Sequence, residues 1–409
     1  MKKIPSIILV TLLIFIVIFV GYKVTLFTPD KLIASEEQKI IISDFSGGYT
    51  PQNNIEVLED GRTLFMGEGY REPNNYSNPK STIFEIPKAD TSGKPTIFLS
   101  LTEQLKNDNY IVKDCVDFSK EKKIICYVKR ISREEGAPPY SIFCFDYNGK
   151  QLWEYDRVYE DYMLEQGKLF PVKDKVLFYT ERRQYDNEFL GYELLLLDLN
   201  GTVVAERVQK SEKSIDNGLQ MRFAFESVVE KDEKFYILGN WYKNYAQESL
   251  QKCSVLCLDR MLNEVWQTDI DTVEAQQHIF QLQENALSII CLKEDCMVTM
   301  LDFNGNKNLE ESNSVLQKYQ KHREENRLEC MAVQGSYALL SEYGKHDATI
   351  LLFKSSDSCL SGEIKKLPIS MQDILIDGAF QDQEVVLFTQ KGNILPTVNY
   401  NLYKYNILF

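Results

Sequence analysis

The chain has 409 residues and a formal net charge of −14. That acidic balance excludes nucleic acid or anionic lipid as the principal partner, because those surfaces select a basic footprint. Aromatic residues make up 12%, against only 12 prolines and 20 glycines, so a globular body is expected and a disordered one excluded.

Lys2 and Lys3 precede an apolar run from Ile4 to Tyr22, broken only by Pro5, Ser6, Thr11 and Gly21. At about 1.5 Å per residue, these roughly 19 residues reach about 30 Å, the thickness of a bilayer core. The residues that follow, Tyr22 to Phe27, are bulky where a cleavage site needs small ones, and no cysteine stands there for a lipid anchor. An uncleaved transmembrane signal anchor is expected over 4–27. Residues 1–3 form a cytoplasmic stub, 28–38 a linker, and 39–409 one aqueous domain on a single tether. The two lysines favour a cytoplasmic N-terminus and an extracytoplasmic body, with Lys23 weighing against that bias.

Beyond the linker, a pattern of short strands recurs at intervals of about fifty residues. Second strands read at Thr63 to Met66, Ile124 to Val128, Val176 to Tyr179, Phe235 to Leu238, Leu287 to Leu292, Tyr337 to Leu340 and Val385 to Phe388. Each follows a short polar turn, such as Glu59-Asp60-Gly61 or Lys173-Asp174-Lys175. Third strands close at Pro87, Asp146, Asp198, Asp259, Asp302, Lys354 and Asn406. The clearest copy runs from Ser141 to Trp153, where apolar runs flank Asn148-Gly149. Asn-Gly tolerates the positive φ of a tight hairpin turn. Each unit therefore reads as a four-stranded antiparallel meander.

Such a sheet is too thin to bury both faces alone, and radial packing of several solves that problem. The expected fold is all-β: a β-propeller of four-stranded blades, seven preferred, with six or eight also compatible. The last unit lacks its own fourth strand. Lys39 to Ser43 is an unassigned strand placed to complete it and close the ring. A row of separate sandwich domains is the rival, but no Pro-, Gly- or Ser-rich linker interrupts the series.

The runs Leu194 to Gly201 and Ser141 to Trp153 resemble the blade repeat of quinoprotein-dehydrogenase-like propellers, the PQQ-like repeat. There a strand ends in Leu-Asp, followed by a Gly turn and a strand bearing Trp. Trp266 is a second match, with Val204 and Leu309 in comparable places. The resemblance implies the propeller fold. Members with dehydrogenase activity resemble one another in a disulfide between adjacent cysteines and a cofactor stacking platform. This chain has no adjacent cysteines, and two of its three tryptophans hold the structural position, so no cofactor is expected.

Asp146, Asp198 and Asp302 each open an Asp-x-Asn-Gly sequence that invites a calcium-loop reading. A helix-loop-helix site needs Gly sixth and Glu twelfth; from Asp302 those places hold Lys307 and Asn313. A hairpin turn in which Asp accepts backbone N–H groups is expected instead. The motifs of zinc hydrolases, serine hydrolases and phosphate loops are missing. The three histidines, His278, His322 and His346, are scattered. Glu134-Glu135 and Glu310-Glu311 lie in polar loops. Cys291 and Cys296 flank a four-residue turn; reduced core thiols are expected there, and a disulfide across the hairpin is the alternative.

The loops between second and third strands are long and rich in aromatic and basic residues in the first four units. They carry Tyr70, Arg71 and Tyr76; Arg130, Arg133 and Tyr140; Arg182, Arg183, Tyr185 and Tyr192; and Trp241, Tyr242 and Tyr245. Equivalent loops leave one face of a propeller, and these residue types dominate interface hot spots. Loops that merely cover blade edges are the alternative. Ser314 to Arg327 reads as a short exposed helix between the fifth and sixth units. The sequence thus points to a non-catalytic binding or scaffolding module for a protein or cell-envelope polymer. An enzyme, quinone-dependent or carbohydrate-active, working at the ring's funnel is the alternative.

Overall fold

The computed structural model describes residues 38–42 and 50–407, apart from 59, 71–78, 87–95, 101–109, 131–139, 158–162, 184–188, 211, 214–219, 244–248, 271–276, 294, 321–326, 344–348, 370–372, 382 and 392–399. The signal-anchor segment 4–27 lies outside them. No helix of the described residues is long and apolar enough to cross a membrane.

A strand, β1 (Gln38–Ile42), comes first. Sheet 1 holds β2 (Thr50–Val57), β3 (Thr63–Tyr70), β4 (Pro79–Ile86) and β5 (Thr96–Ser100). Sheet 2 holds β6 (Tyr110–Phe118), β7 (Lys123–Arg130), β8 (Tyr140–Asp146) and β9 (Gln151–Arg157). Sheet 3 holds β10 (Met163–Val172), β11 (Lys175–Arg183), β12 (Phe189–Asp198) and β13 (Val203–Lys210). Sheet 4 adds a short β14 (Glu212–Lys213) to β15 (Gln220–Lys231), β16 (Lys234–Lys243), β17 (Ser249–Leu258) and β18 (Glu264–Ile270). Sheet 5 holds β19 (His278–Leu282), β20 (Leu287–Cys291), β21 (Met297–Leu301) and β22 (Lys307–Ser312). A helix, α1 (Ser314–Gln320), leads to sheet 6: β23 (Arg327–Gln334), β24 (Tyr337–Tyr343), β25 (Thr349–Ser355) and β26 (Gly362–Leu367). Sheet 7 holds β27 (Asp373–Gln381), β28 (Glu384–Lys391) and β29 (Tyr400–Asn406).

Every sheet is an antiparallel meander, and its first long strand packs on the first long strand of the next sheet. The series β2, β6, β10, β15, β19, β23, β27 returns to β2. The ring therefore closes, and the architecture is a β-propeller. Closure is sealed where β1 pairs with β29, Ile40 opposite Leu402, so the chain's first described strand completes its last sheet.

The packing follows from strand period. Middle strands are buried on both faces, as in β12, while outer strands such as β22 and β13 are largely exposed. Alternation then divides a leucine run between two interfaces. Leu194 and Leu196 join the cluster between sheets 3 and 4; Leu195 and Leu197 join that between sheets 2 and 3. This explains why four consecutive leucines are needed where a one-sided sheet would need two.

The Asp turns form as expected. Asp302 Oδ1 accepts N–H bonds from Asn304 at 2.8 Å and Asn306 at 2.9 Å, and Asp146, Asp198 and Asp259 repeat the pattern. The helix is shorter than the sequence suggests, since Arg327 already opens β23. Nor is it a free surface helix: Leu316 is buried in the core between sheets 5 and 6, and Asn313 Oδ1 accepts the Leu316 N–H.

Cys291 and Cys296 are buried free thiols, the reduced state expected ahead of a bridge. The register pairs Ile290 with Val298, so its continuation sets Met297, not Cys296, opposite Cys291. Cys296 instead bonds the Lys293 carbonyl within the turn.

Candidate functional site

In each sheet the second strand runs to the same end of the ring, so the loops that follow β3, β7, β11 and β16 share a face. Tyr70 and Arg130 close β3 and β7 there. Arg71, Tyr76, Arg133, Tyr185 and Tyr245 lie outside the described residues. The remaining residues divide sharply. Tyr140 is 0% exposed and wedges against Tyr127 and Phe178, with ring centroids 5.9 and 4.9 Å away. Arg183 is likewise 0% exposed. Neither of these two offers a surface. The strands simply extend further than the sequence suggests, drawing both ends into the packed interface.

Arg183 belongs to a buried ion network. Its NH2 group donates to Glu181 Oε2 at 2.6 Å, and Arg222 Nε donates to Glu181 Oε1 at 2.6 Å. The Tyr179 hydroxyl lies 3.2 Å from Glu181 Oε1 and 3.0 Å from the Phe223 carbonyl oxygen. Burial first, then the Glu181 charge, hold the Tyr179 phenol well above its ordinary range, so it remains a proton donor. The Arg222 guanidinium sits 5.3 Å from the Tyr242 ring centroid and carries the network outward to that partly exposed ring. Glu181 escaped the sequence reading. The signal was there in the strand period, since residues two apart on β11 share a side.

Beside this network lies a groove of about 60 Å³ between sheets 3 and 4. Its floor is aromatic, formed by Tyr192, Phe223 and Trp241, and its rim carries Gln209, Lys210, Glu264 and Gln267. Phe223 and Trp241 stack with centroids 4.8 Å apart, and Tyr192 meets Phe225 edge-on at 5.3 Å. The Trp241 indole donates to Ser254 Oγ at 2.9 Å, which in turn donates to Asp269 Oδ1 at 2.7 Å. Lys252 reaches Asp269 Oδ2 at 2.7 Å while standing 5.4 Å from the Trp241 ring centroid. Partial burial pushes Asp269 up, but donation from Lys252 and Ser254 outweighs it and holds the carboxyl below the usual range. Trp241 is thereby fixed in one orientation.

Of the sequence-selected residues, the structure gathers Arg182, Arg183, Tyr192, Trp241 and Tyr242 at sheets 3 and 4, with only part of the set facing solvent. Among the described residues, no group of three metal-ligating side chains converges. The carboxylate that lines the groove, Glu264, accepts from Arg207 at 3.1 Å, and Glu181 in the neighbouring network has both oxygens engaged by arginines.

The protein is a β-propeller of four-stranded antiparallel blades, and solved structures share that form. The polysaccharide lyase Uly1 superposes with a TM-score of 0.51 at 9% identity, over 89% of this chain and 91% of that one. An α-L-arabinanase of Penicillium chrysogenum complexed with arabinobiose gives 0.43 at 8% identity, over 91% and 98%. BamB of Moraxella catarrhalis gives 0.39 at 12% identity, over 90% and 98%. No protein-family model and no curated protein matches the sequence. At such identities the likeness to the lyase carries the fold alone.

Proposed function

We propose that this protein is a membrane-tethered propeller whose body stands outside the cytoplasmic membrane. It binds a protein or cell-envelope polymer, without catalysis, on the face built by sheets 3 and 4. The observation that carries this reading is the groove: a fixed aromatic floor, amide, lysine and carboxylate groups on the rim, and Tyr242 beside it. Rigid aromatic surface gives contact area at little entropic cost, and the rim groups supply orientation. The pairing of Glu264 with Arg207, and of Glu181 with two arginines, supports a binding role over acid–base chemistry at this groove. The tether rests on the apolar run behind Lys2 and Lys3.

The test uses Gln209→Ala, Lys210→Ala, Tyr242→Ala and Gln267→Ala combined in the full chain. Retention by solubilised membrane proteins and by purified cell-wall polymer is compared with the native chain. A loss on the order of tenfold with an unchanged melting midpoint supports the face. Equal retention overturns it. For the tether, protease added to intact spheroplasts digests the body if it lies outside, and a fully protected body refutes that orientation.

A further inference from the structure

We infer that Cys115 and Cys126 form a modification site, a cross-strand thiol pair that a disulfide donor oxidises to an intramolecular bond. This goes beyond the binding role and does not depend on it.

The two residues are direct partners in the β6–β7 register. Directly opposed residues on antiparallel strands have Cα atoms about 4.5 or about 5.5 Å apart, depending on the kind of pair. Both values fall inside the window of about 4.4–6.8 Å that a disulfide spans. No backbone movement is therefore required. The side chains face the same cluster between sheets 1 and 2, among Phe143 and Phe145, and their sulfurs are 2.9 Å apart. Cys115 is 5% exposed and Cys126 0%, so no solvent separates them.

Cys144, Cys291 and Cys296 do not compete. Cys144 pairs in register with Ile125 and points into the cluster between sheets 2 and 3, the opposite side of the sheet. Cys291 and Cys296 are out of register. Cys115 and Cys126 thus have the opposition that the Cys291 turn lacks.

The chemistry balances with a low-molecular-weight or protein disulfide as oxidant. One cysteine thiolate attacks the donor disulfide, forming a mixed disulfide and releasing one donor thiolate. The second cysteine thiolate attacks the protein sulfur of that mixed disulfide, closing the Cys115–Cys126 bond and releasing the second donor thiolate. The protein loses two protons and two electrons, and the donor becomes two thiols. The bond staples the innermost strand of sheet 2 to its neighbour and encloses the 3-10 turn at Ser119–Glu121.

The experiment refolds the reduced full chain from denaturant in a glutathione redox buffer, alkylates the remaining thiols after denaturation, and digests with trypsin. Lys120, Lys122 and Lys123 lie between the two cysteines, so their peptides stay joined only through a bridge. The expected result is one linked pair, Asp114 to Lys120 with Ile124 to Lys129, while Cys144, Cys291 and Cys296 are recovered alkylated. Added reductant is expected to lower the denaturation midpoint of the native chain and to leave that of the Cys115→Ser, Cys126→Ser double variant unmoved. Alkylation of both cysteines, or linkage of either to another cysteine, overturns the proposal. The peptide readout decides even where the double variant fails to fold.

Discussion

His278 begins β19 and is held by the neighbouring sheet: its N–H and its Nδ1 each lie 2.9 Å from a Glu226 carboxylate oxygen. Glu226 is the extra residue of a β-bulge in β15, which turns its side chain toward the next sheet. Burial alone would push the imidazole down, but Cys253 and Glu226 outweigh it and lift its pKa from 6.5 to about 10. A group whose folded pKa is raised stabilises fully below its unfolded pKa, and that contribution is lost as pH rises through the folded one. Urea midpoints should therefore decline above pH 6.5, with His278→Gln flattening the decline up to about pH 9. Above that, buried thiols such as Cys144 and Cys291, pushed up to about 12, add losses of their own. A flat native profile between those limits would refute the role of His278. Glu181→Ala removes the carboxylate that two buried guanidiniums share and should cost about 3–5 kcal/mol in denaturant titration; a cost near zero would mean that the network relaxes into solvent. Residue types on this face were readable, but depth was not. Arg183 and Tyr140 look like loop residues because nothing in their own neighbourhood marks where an adjacent sheet will cover them.

At the scale of elements, the outer strand of one sheet docks on the hairpin turn of the next. The Trp153 indole donates to the Leu199 carbonyl at 3.0 Å, and Trp266 donates to the Phe303 carbonyl at 3.1 Å. The turn must then offer a flat backbone. Gly201 has φ +82°, and a Cβ built there would stand 2.8 Å from the Trp153 ring. Gly201→Ala combines a disfavoured dihedral with that overlap and should cost about 1–3 kcal/mol. Trp153→Ala should cost about 2–4 kcal/mol. Calorimetry or denaturant titration checks both, and additive losses in the double variant would show that the two residues do not meet. The tryptophan places were legible from the spacing after the Asp turn. In sheet 3 the place seven residues after the turn Asp is held by Ala205, not Val204, and the register agrees, setting Ala205 opposite Leu196 as Trp153 stands opposite Cys144. There Arg207 takes over, donating to the Leu262 carbonyl at 3.0 Å.

For the whole molecule, the decisive contact joins residues from opposite ends of the described chain. Deleting 1–43 removes β1 and leaves β29 as an unpaired edge, so the ring is closed only by packing of β27 on β2. A lower melting midpoint and early proteolysis within 400–406 are expected; an unchanged midpoint would show that strand pairing adds nothing to closure. Period and turn chemistry are local, and they determined the meanders, their repeat, the Asp turns and the strand left over to seal the ring. Which cysteines oppose one another, which arginine is submerged and which aromatic rings converge beside Trp241 depended on register across strands and on the stacking of one sheet over the next. Those are relations between residues far apart in the chain, so only the assembled ring could decide them.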